Sequence, residues 1–190
     1  MAEQGHTVEE FETIMQGLVV SILGLDVDTE SVRISWPTEG MPAWGILEDV
    51  VFLQCFEVDD PYNRPRENTD SYEQSPSEFL RETSYTSVMQ VNLILYGPTS
   101  GENAKSIKNK IFYPEYQLVL SKEKIYLIHD VSVPRRVPDY WEGSWWKRYD
   151  MSMKFNMLVV KSSNVPAIDS IEVAIYEGDE GDKIAEINNE

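Results

Sequence analysis

The chain has 190 residues, 42% of them hydrophobic and 11% aromatic, enough to bury one sizeable core and short of what two independent domains usually need. Its 33 acidic against 16 basic residues give a formal charge of −17, which disfavours nucleic-acid binding through a broad cationic surface. That balance still suits a wall along which DNA must slide, because phosphates left unneutralised release no counterions and are not held.

The first residues carry Glu3, Glu9, Glu10 and Glu12 in place of the basic and apolar regions of a signal peptide. No uncharged apolar run reaches bilayer length, so a soluble chain, intracellular when made and with no membrane contact, is expected. Val8, Phe11, Ile14, Met15, Leu18, Val19 and Ile22 recur at helical spacing, which predicts an amphipathic helix. Thr7 with Glu10 forms a capping box at its start, and Gly24 stops it.

Two strands are predicted next, Val32 to Trp36 and Val50 to Val58, separated by the breakers Pro37, Gly40, Pro42 and Gly45. The second has apolar residues in both phases and contains Cys55, the only cysteine. An intrachain disulfide is thereby excluded, and a small buried apolar thiol in a reducing compartment is expected. From 59 to about 83 the chain is polar and acidic, with Pro61, Pro65 and Pro76; a long loop is predicted, one that touches a neighbour or orders on assembly.

Tyr85, Met89, Val91, Leu93 and Leu95 alternate with polar residues and predict a strand ended by Gly97-Pro98. Ser100 is placed as the cap of a short helix that buries Ala104, Ile107 and Ile111 and turns Lys105, Lys108 and Lys110 to solvent. Ile125 to Val133 reads as a strand closed by a Pro134–Pro138 turn. After a tryptophan-rich turn, Tyr149, Met151, Met153, Phe155, Met157 and Val159 give the cleanest period-two signal of the chain. Ile168 to Tyr176 offers a last strand, and 179–190 reads as an acidic flexible tail. These elements define an α+β fold, a mainly antiparallel sheet flanked by two or three helices, in one domain over 1–178.

Templates for chemistry fail on counting. His6 and His129 are far apart without partners at ligand spacing, and a lone cysteine excludes a multi-thiolate zinc site. Acidic pairs such as Asp26 with Asp28 or Asp59 with Asp60 sit in turn-like sequence, and Gly97-Pro98-Thr99-Ser100-Gly101 lacks the lysine of a phosphate loop. No catalytic residue, metal ligand or cofactor is assigned, and the chain is not expected to be an enzyme.

One segment, residues 134–150, places Trp141, Trp145 and Trp146 beside Arg135, Arg136, Lys147 and Arg148. Aromatic residues and arginine are what buried protein interfaces favour. Arg135, Arg136, Tyr140, Trp141, Trp145, Trp146 and Arg148 are therefore the candidate protein-interface residues. Two readings compete with this one: tryptophans that plug the end of the core, and a glycan-binding or glycan-hydrolysing platform with paired carboxylates.

The same segment resembles the phage neck terminator family, itself similar in role and fold to tail terminators of long-tailed phages. The likeness runs through Val88–Tyr96 with Gly97-Pro98, the helix from Gly101 to Phe112, a strand ending His129-Asp130-Val131, and the Arg136-Val137-Pro138 turn. It ends on the Trp-x-x-Arg-x-Asp entry formed by Trp145, Arg148 and Asp150. It covers the C-terminal half, agrees more loosely with the opening helix and strands, and departs at the 59–83 segment. The resemblance implies a structural virion protein, assembled in the host cytoplasm. It would form a hexameric ring that caps the tail tube, stops its polymerisation and joins it to the head. The implied partners are further copies of the chain, the tube protein, the head-completion or connector protein and the sheath, with DNA passing weakly contacted.

Overall fold

The computed structural model of the chain describes residues 3–26, 30–35, 43–75, 78–166, 172–177 and 182–188. In chain order its elements are β1 (Glu3–Gln4), α1 (Val8–Leu23), β2 (Val32–Ile34), β3 (Val50–Glu57), β4 (Glu67–Ser75), β5 (Glu78–Tyr96) and α2 (Ser100–Lys110). There follow α3 (Pro114–Lys122), β6 (Ile125–Ile128), β7 (Arg135–Trp141), β8 (Ser144–Pro166), β9 (Glu172–Glu177) and β10 (Asp182–Asn188). Helices with a mainly antiparallel sheet make the expected α+β class. The expected strand end at Trp36, the breakers Pro37, Gly40 and Pro42, and Asp28 lie outside the described residues. Two compact units form: a larger one, Gln4–Pro65 with Tyr85–Val159, and a smaller one built mainly from Arg66–Ser84 and the residues from Val160 onward.

In the larger unit the strands lie in the order β8-β5-β3-β2, and β6 and β7 pair along β8. β2 is parallel to β3, while β3 is antiparallel to β5. The register Val51↔Leu95, Leu53↔Leu93 and Cys55↔Val91 gathers one apolar face, because side chains alternate across a strand. Met151, Met153, Phe155, Met157 and Val159 of β8 join the same core. α1 adds Phe11, Met15, Leu18, Val19 and Ile22, with the Phe11 ring edge-on to Phe155 at 6.1 Å. Ala104 and Ile107 of α2 and Leu120 of α3 complete it; each large buried side chain contributes roughly 1.5–3 kcal/mol.

Helix ends follow the sequence signals in α1 and depart from them in α2. Thr7 Oγ1 accepts the Glu10 N–H at 3.2 Å while Glu10 Oε2 accepts the Thr7 N–H at 2.9 Å, and Gly24 adopts φ 67°, a left-handed conformation that suits glycine. In α2, Ser100 is the first helical residue and donates to the Gly97 carbonyl at 2.7 Å. The capping carboxylate comes instead from Asp49, which accepts Thr99 N–H at 2.8 Å and Thr99 Oγ1–H at 2.7 Å. Lys110, expected in solvent, donates to the Ile22 carbonyl at 2.9 Å, placing a cation at the C-terminal end of α1 where the helix dipole favours it. α3 has no counterpart among the predicted elements: Leu118 and Val119 are exposed and Leu120 alone is fully buried, so the apolar spacing is missing. Pro114 starts it, since proline suits the first helical position.

Along β8 two further expectations change. β6 ends at Ile128, short of Val133, and the chain beyond it is tied to β8 through Ser132 N–H to Ser152 O at 3.0 Å and Ser152 N–H to Ser132 Oγ at 2.6 Å. The predicted Pro134–Pro138 turn is part of the strand β7, which pairs with β8 from Arg135↔Asp150 to Trp141↔Ser144. Pro138 is tolerated there because a strand paired on one side leaves alternate N–H groups unused.

The segment 59–83, expected as a loop, is mostly strand. Its first part carries a 3-10 turn at Pro61–Asn63 capped by Asp60, and Asn63 bonds Val58 O at 2.6 Å and Val88 N at 2.9 Å. In the smaller unit β4 then pairs antiparallel with β5 from Glu67↔Ser84 to Ser71↔Leu80. Polar cross-strand pairs hold it: Arg81 meets Asp70 at 2.8 and 2.9 Å, and Thr83 meets Asn68 at 2.7 Å. The Arg81 guanidinium keeps the Asp70 carboxyl below its usual range. Such pairs stabilise a ladder without apolar alternation, which is why composition reads as loop. Residues 182–188, placed in the acidic tail, form β10 and pair antiparallel with β9.

Candidate protein-interface site

The β7–β8 hairpin turns through Glu142 and Gly143, at φ 49° and 79°. Two positive φ values make the tight connection whose twist matches that of paired strands. The register then fixes two faces. Val137, Asp139 and Trp141 share one with Trp146, Arg148 and Asp150, while Arg136, Pro138 and Tyr140 share the other with Trp145, Lys147 and Tyr149.

Arg148 is the centre of a clamp on the first face. Its Nε and Nη2 donate to both Asp150 oxygens at 2.7 and 2.8 Å, and its Nη1 approaches Asp139 Oδ2 at 3.4 Å. Tyr96 donates its hydroxyl to the same Asp139 oxygen at 2.7 Å and lies under the guanidinium at 5.8 Å. The bidentate carboxylate pushes the Arg148 pKa further up. Burial, and then donation to Asp139, pushes the Tyr96 phenol up to about 12, so it stays a donor at any physiological pH. A fork matched by a carboxylate has both strength and fixed geometry.

Beside the clamp the Trp146 ring stands 5.9 Å from Trp44 and 6.1 Å from Tyr96, and its Nε1 donates to the Trp141 carbonyl at 3.3 Å. Trp44 packs on Phe52 at 4.9 Å, and its own indole N–H is buried without an acceptor among the described residues. A cleft of about 340 Å³ opens between Trp44, Tyr96, Asp139, Trp141, Glu142 and Trp146. Trp141 at its edge is 62% exposed, and on the opposite face of the hairpin Tyr140 and Trp145 are 59% and 69% exposed with their rings 5.0 Å apart. Arg135 and Arg136 are exposed as well.

The hairpin stands on the Gly97-Pro98 junction. Gly97 N–H donates to the Lys147 carbonyl at 3.2 Å, Lys147 Nζ donates to the Pro98 carbonyl, and Tyr149 lies so close to Gly101 that a Cβ there would meet its ring at 2.9 Å.

The seven residues singled out from sequence thus divide. Trp146 and Arg148 are half-buried members of a built cluster; Tyr140, Trp141, Trp145, Arg135 and Arg136 form the exposed rim of the hairpin, with Tyr140, Trp145 and Arg136 on the face opposite that cluster. Sequence reasoning missed Trp44, Phe52, Tyr96 and Asp139 as partners. One signal was present: Arg148 and Asp150 two apart on a strand must share a face. Trp44, in aperiodic sequence, gave none.

The other chemical candidates have structural posts. His6 bonds the Glu123 carbonyl at 3.2 Å, and His129 meets the Phe112 ring at 5.7 Å. Asp60 caps its turn at 3.0 Å. No group of His, Cys, Asp and Glu fit for a metal occurs among the described residues, and no helix there is long and apolar enough to cross a membrane. Cys55 is buried, and that burial, followed by the Glu12 charge, pushes its thiol up to about 12. Thiolate is the reactive form; Ellman's reagent is therefore expected to label Cys55 rapidly in urea and hardly at all in the native protein.

The hairpin thus carries a charge clamp on one face and exposed aromatic side chains on both, within an α+β fold. The family model for phage neck terminator proteins matches residues 9–181, and the chain belongs to that family. No curated protein matches it. The family is structural and non-enzymatic, which makes this chain a component of the phage neck that contacts other head and tail proteins.

Proposed function

We propose that copies of this chain close into a hexameric ring on the last ring of the tail tube, stop its polymerisation, and offer the opposite side to the head connector. DNA passes through the axial channel. Ring closure needs heterologous contacts, one patch of each copy on a different patch of the next. The rim of Tyr140, Trp141 and Trp145 carries this reading. Three large aromatic side chains, each more than half exposed on one hairpin, are a liability on a free monomer and the usual anchors of an interface. The formal charge of −17 agrees with a channel that does not hold DNA.

The test is polymerisation of purified tube protein with and without this chain, scored by negative-stain microscopy. Short tubes with a ring at one end are expected. A length distribution unchanged by a large molar excess of the chain would sink the reading.

A further inference from the structure

We propose that the cleft walled by Trp44, Tyr96, Trp141 and Trp146 is a socket for a lysine or arginine side chain carried by another protein of the neck. The proposal deepens the assembly reading above and rests on it. Three observations meet there.

The first is the set of ring angles. Trp44 and Trp146 stand at 73°, Tyr96 and Trp146 at 89°, and Trp44 and Tyr96 at 54°. Rings set obliquely to one another present faces in several directions, and an aromatic face attracts a cation brought near its centre. The chain already uses these rings this way: its own Arg33 guanidinium lies 5.9 Å from the Trp44 ring and Arg148 lies 5.8 Å from Tyr96.

The second is charge. Asp139 and Glu142 both line the cleft. Arg148 is matched by both oxygens of Asp150, and only Oδ2 of Asp139 is engaged among the described residues. Glu142 has no partner there. The cleft therefore keeps negative charge beside apolar walls, which repels an anion; a neutral sugar can stack and donate to the carboxylates but leaves their charge unmatched. A guanidinium or ammonium on an aliphatic stem satisfies walls and acids together.

The third concerns who brings the cation. A second copy brings 33 acidic against 16 basic residues, so the cation is better supplied by a basic protrusion of a different protein, which the acids of the cleft steer in.

The probe is N-acetyl-arginine methylamide, titrated into the full chain while tryptophan fluorescence is followed, with the uncharged N-acetyl-citrulline methylamide as its isostere. Saturable quenching by the arginine compound is expected, with the citrulline compound about five-fold weaker or more. Glu142→Gln, which keeps size and turn while removing one charge, is expected to weaken arginine binding by roughly three-fold. Equal response to the two compounds, a stronger response to a neutral sugar, or no effect of Glu142→Gln with the fold intact by circular dichroism overturns the socket. So does self-association of the chain that Arg136→Gln and Glu142→Gln both abolish, since the occupant is then a second copy. Tube capping by the unmodified protein is scored separately. Capping without arginine selectivity removes the socket alone, and selectivity without capping removes the ring reading alone.

Discussion

Gly97→Ala is expected to lower the stability of the chain on the order of 3 kcal/mol, read as the urea midpoint of tryptophan fluorescence. Gly97 sits at φ 106°, where an L side chain is strained, and an added Cβ would stand 2.5 Å from both Asp49 Oδ1 and the Glu48 carbonyl oxygen. Neither neighbour yields easily. Asp49 holds the start of α2 through Thr99, and Gly97 N–H is the bond that ties this junction to Lys147 at the head of β8. Relief of the clash therefore costs the helix cap, the strand junction or both. Gly143→Ala is the control: its φ is 79°, but nothing lies within 4 Å of the new Cβ, so only backbone strain of about 1 kcal/mol is expected. Equal loss from the two substitutions would show that the packing at Gly97 has been misjudged.

The second large effect concerns assembly. Tyr140→Ala with Trp145→Ala removes two ring systems that lie 5.0 Å apart and are mostly in solvent. Monomer stability is expected to change by about 1 kcal/mol or less. An interface anchored by such residues loses roughly 2 kcal/mol or more for each anchor, and a closed ring repeats that loss at every contact, so rings are expected to vanish while folded monomer remains. Arg148→Ala is expected to act the other way. It strips Asp150, Asp139 and Tyr96 of their common partner and lowers stability by roughly 1–2 kcal/mol, a figure reduced because the clamp is partly open to solvent. Circular dichroism melting beside sedimentation velocity separates the two outcomes. A double rim variant that unfolds as readily as Arg148→Ala would favour the core-plug reading of these tryptophans.

Where the chain obeys a simple period, its structure was legible. α1 with its Thr7–Glu10 box and the alternation of Met151 to Val159 follow from side-chain spacing, and both enter the core, although Val8 at the start of α1 stays exposed. Illegibility has physical causes too. The β4 hairpin is joined by pairs such as Asp70 with Arg81, which look like loop composition because their stabilisation is cross-strand and polar. α3 hides behind Pro114 and the exposed Leu118 and Val119. Of the site, the aromatic and arginine clustering was visible, and so was the resemblance that names the family. What it lacked was depth: Trp44, Phe52 and Tyr96 come from distant segments, and no local pattern says that they meet Trp146.

Ring formation by the purified chain is the measurement closest to the central claim, followed by sedimentation velocity and negative-stain microscopy across a salt series. Copies that each carry a formal charge of −17 repel one another. That repulsion fades as added salt shortens the screening length from roughly 30 Å to about 8 Å. Closed rings of one stoichiometry are expected, at a fraction that rises with salt and with addition of tube protein. A chain that stays monomeric at every salt and protein concentration, with tube protein present, would contradict the account.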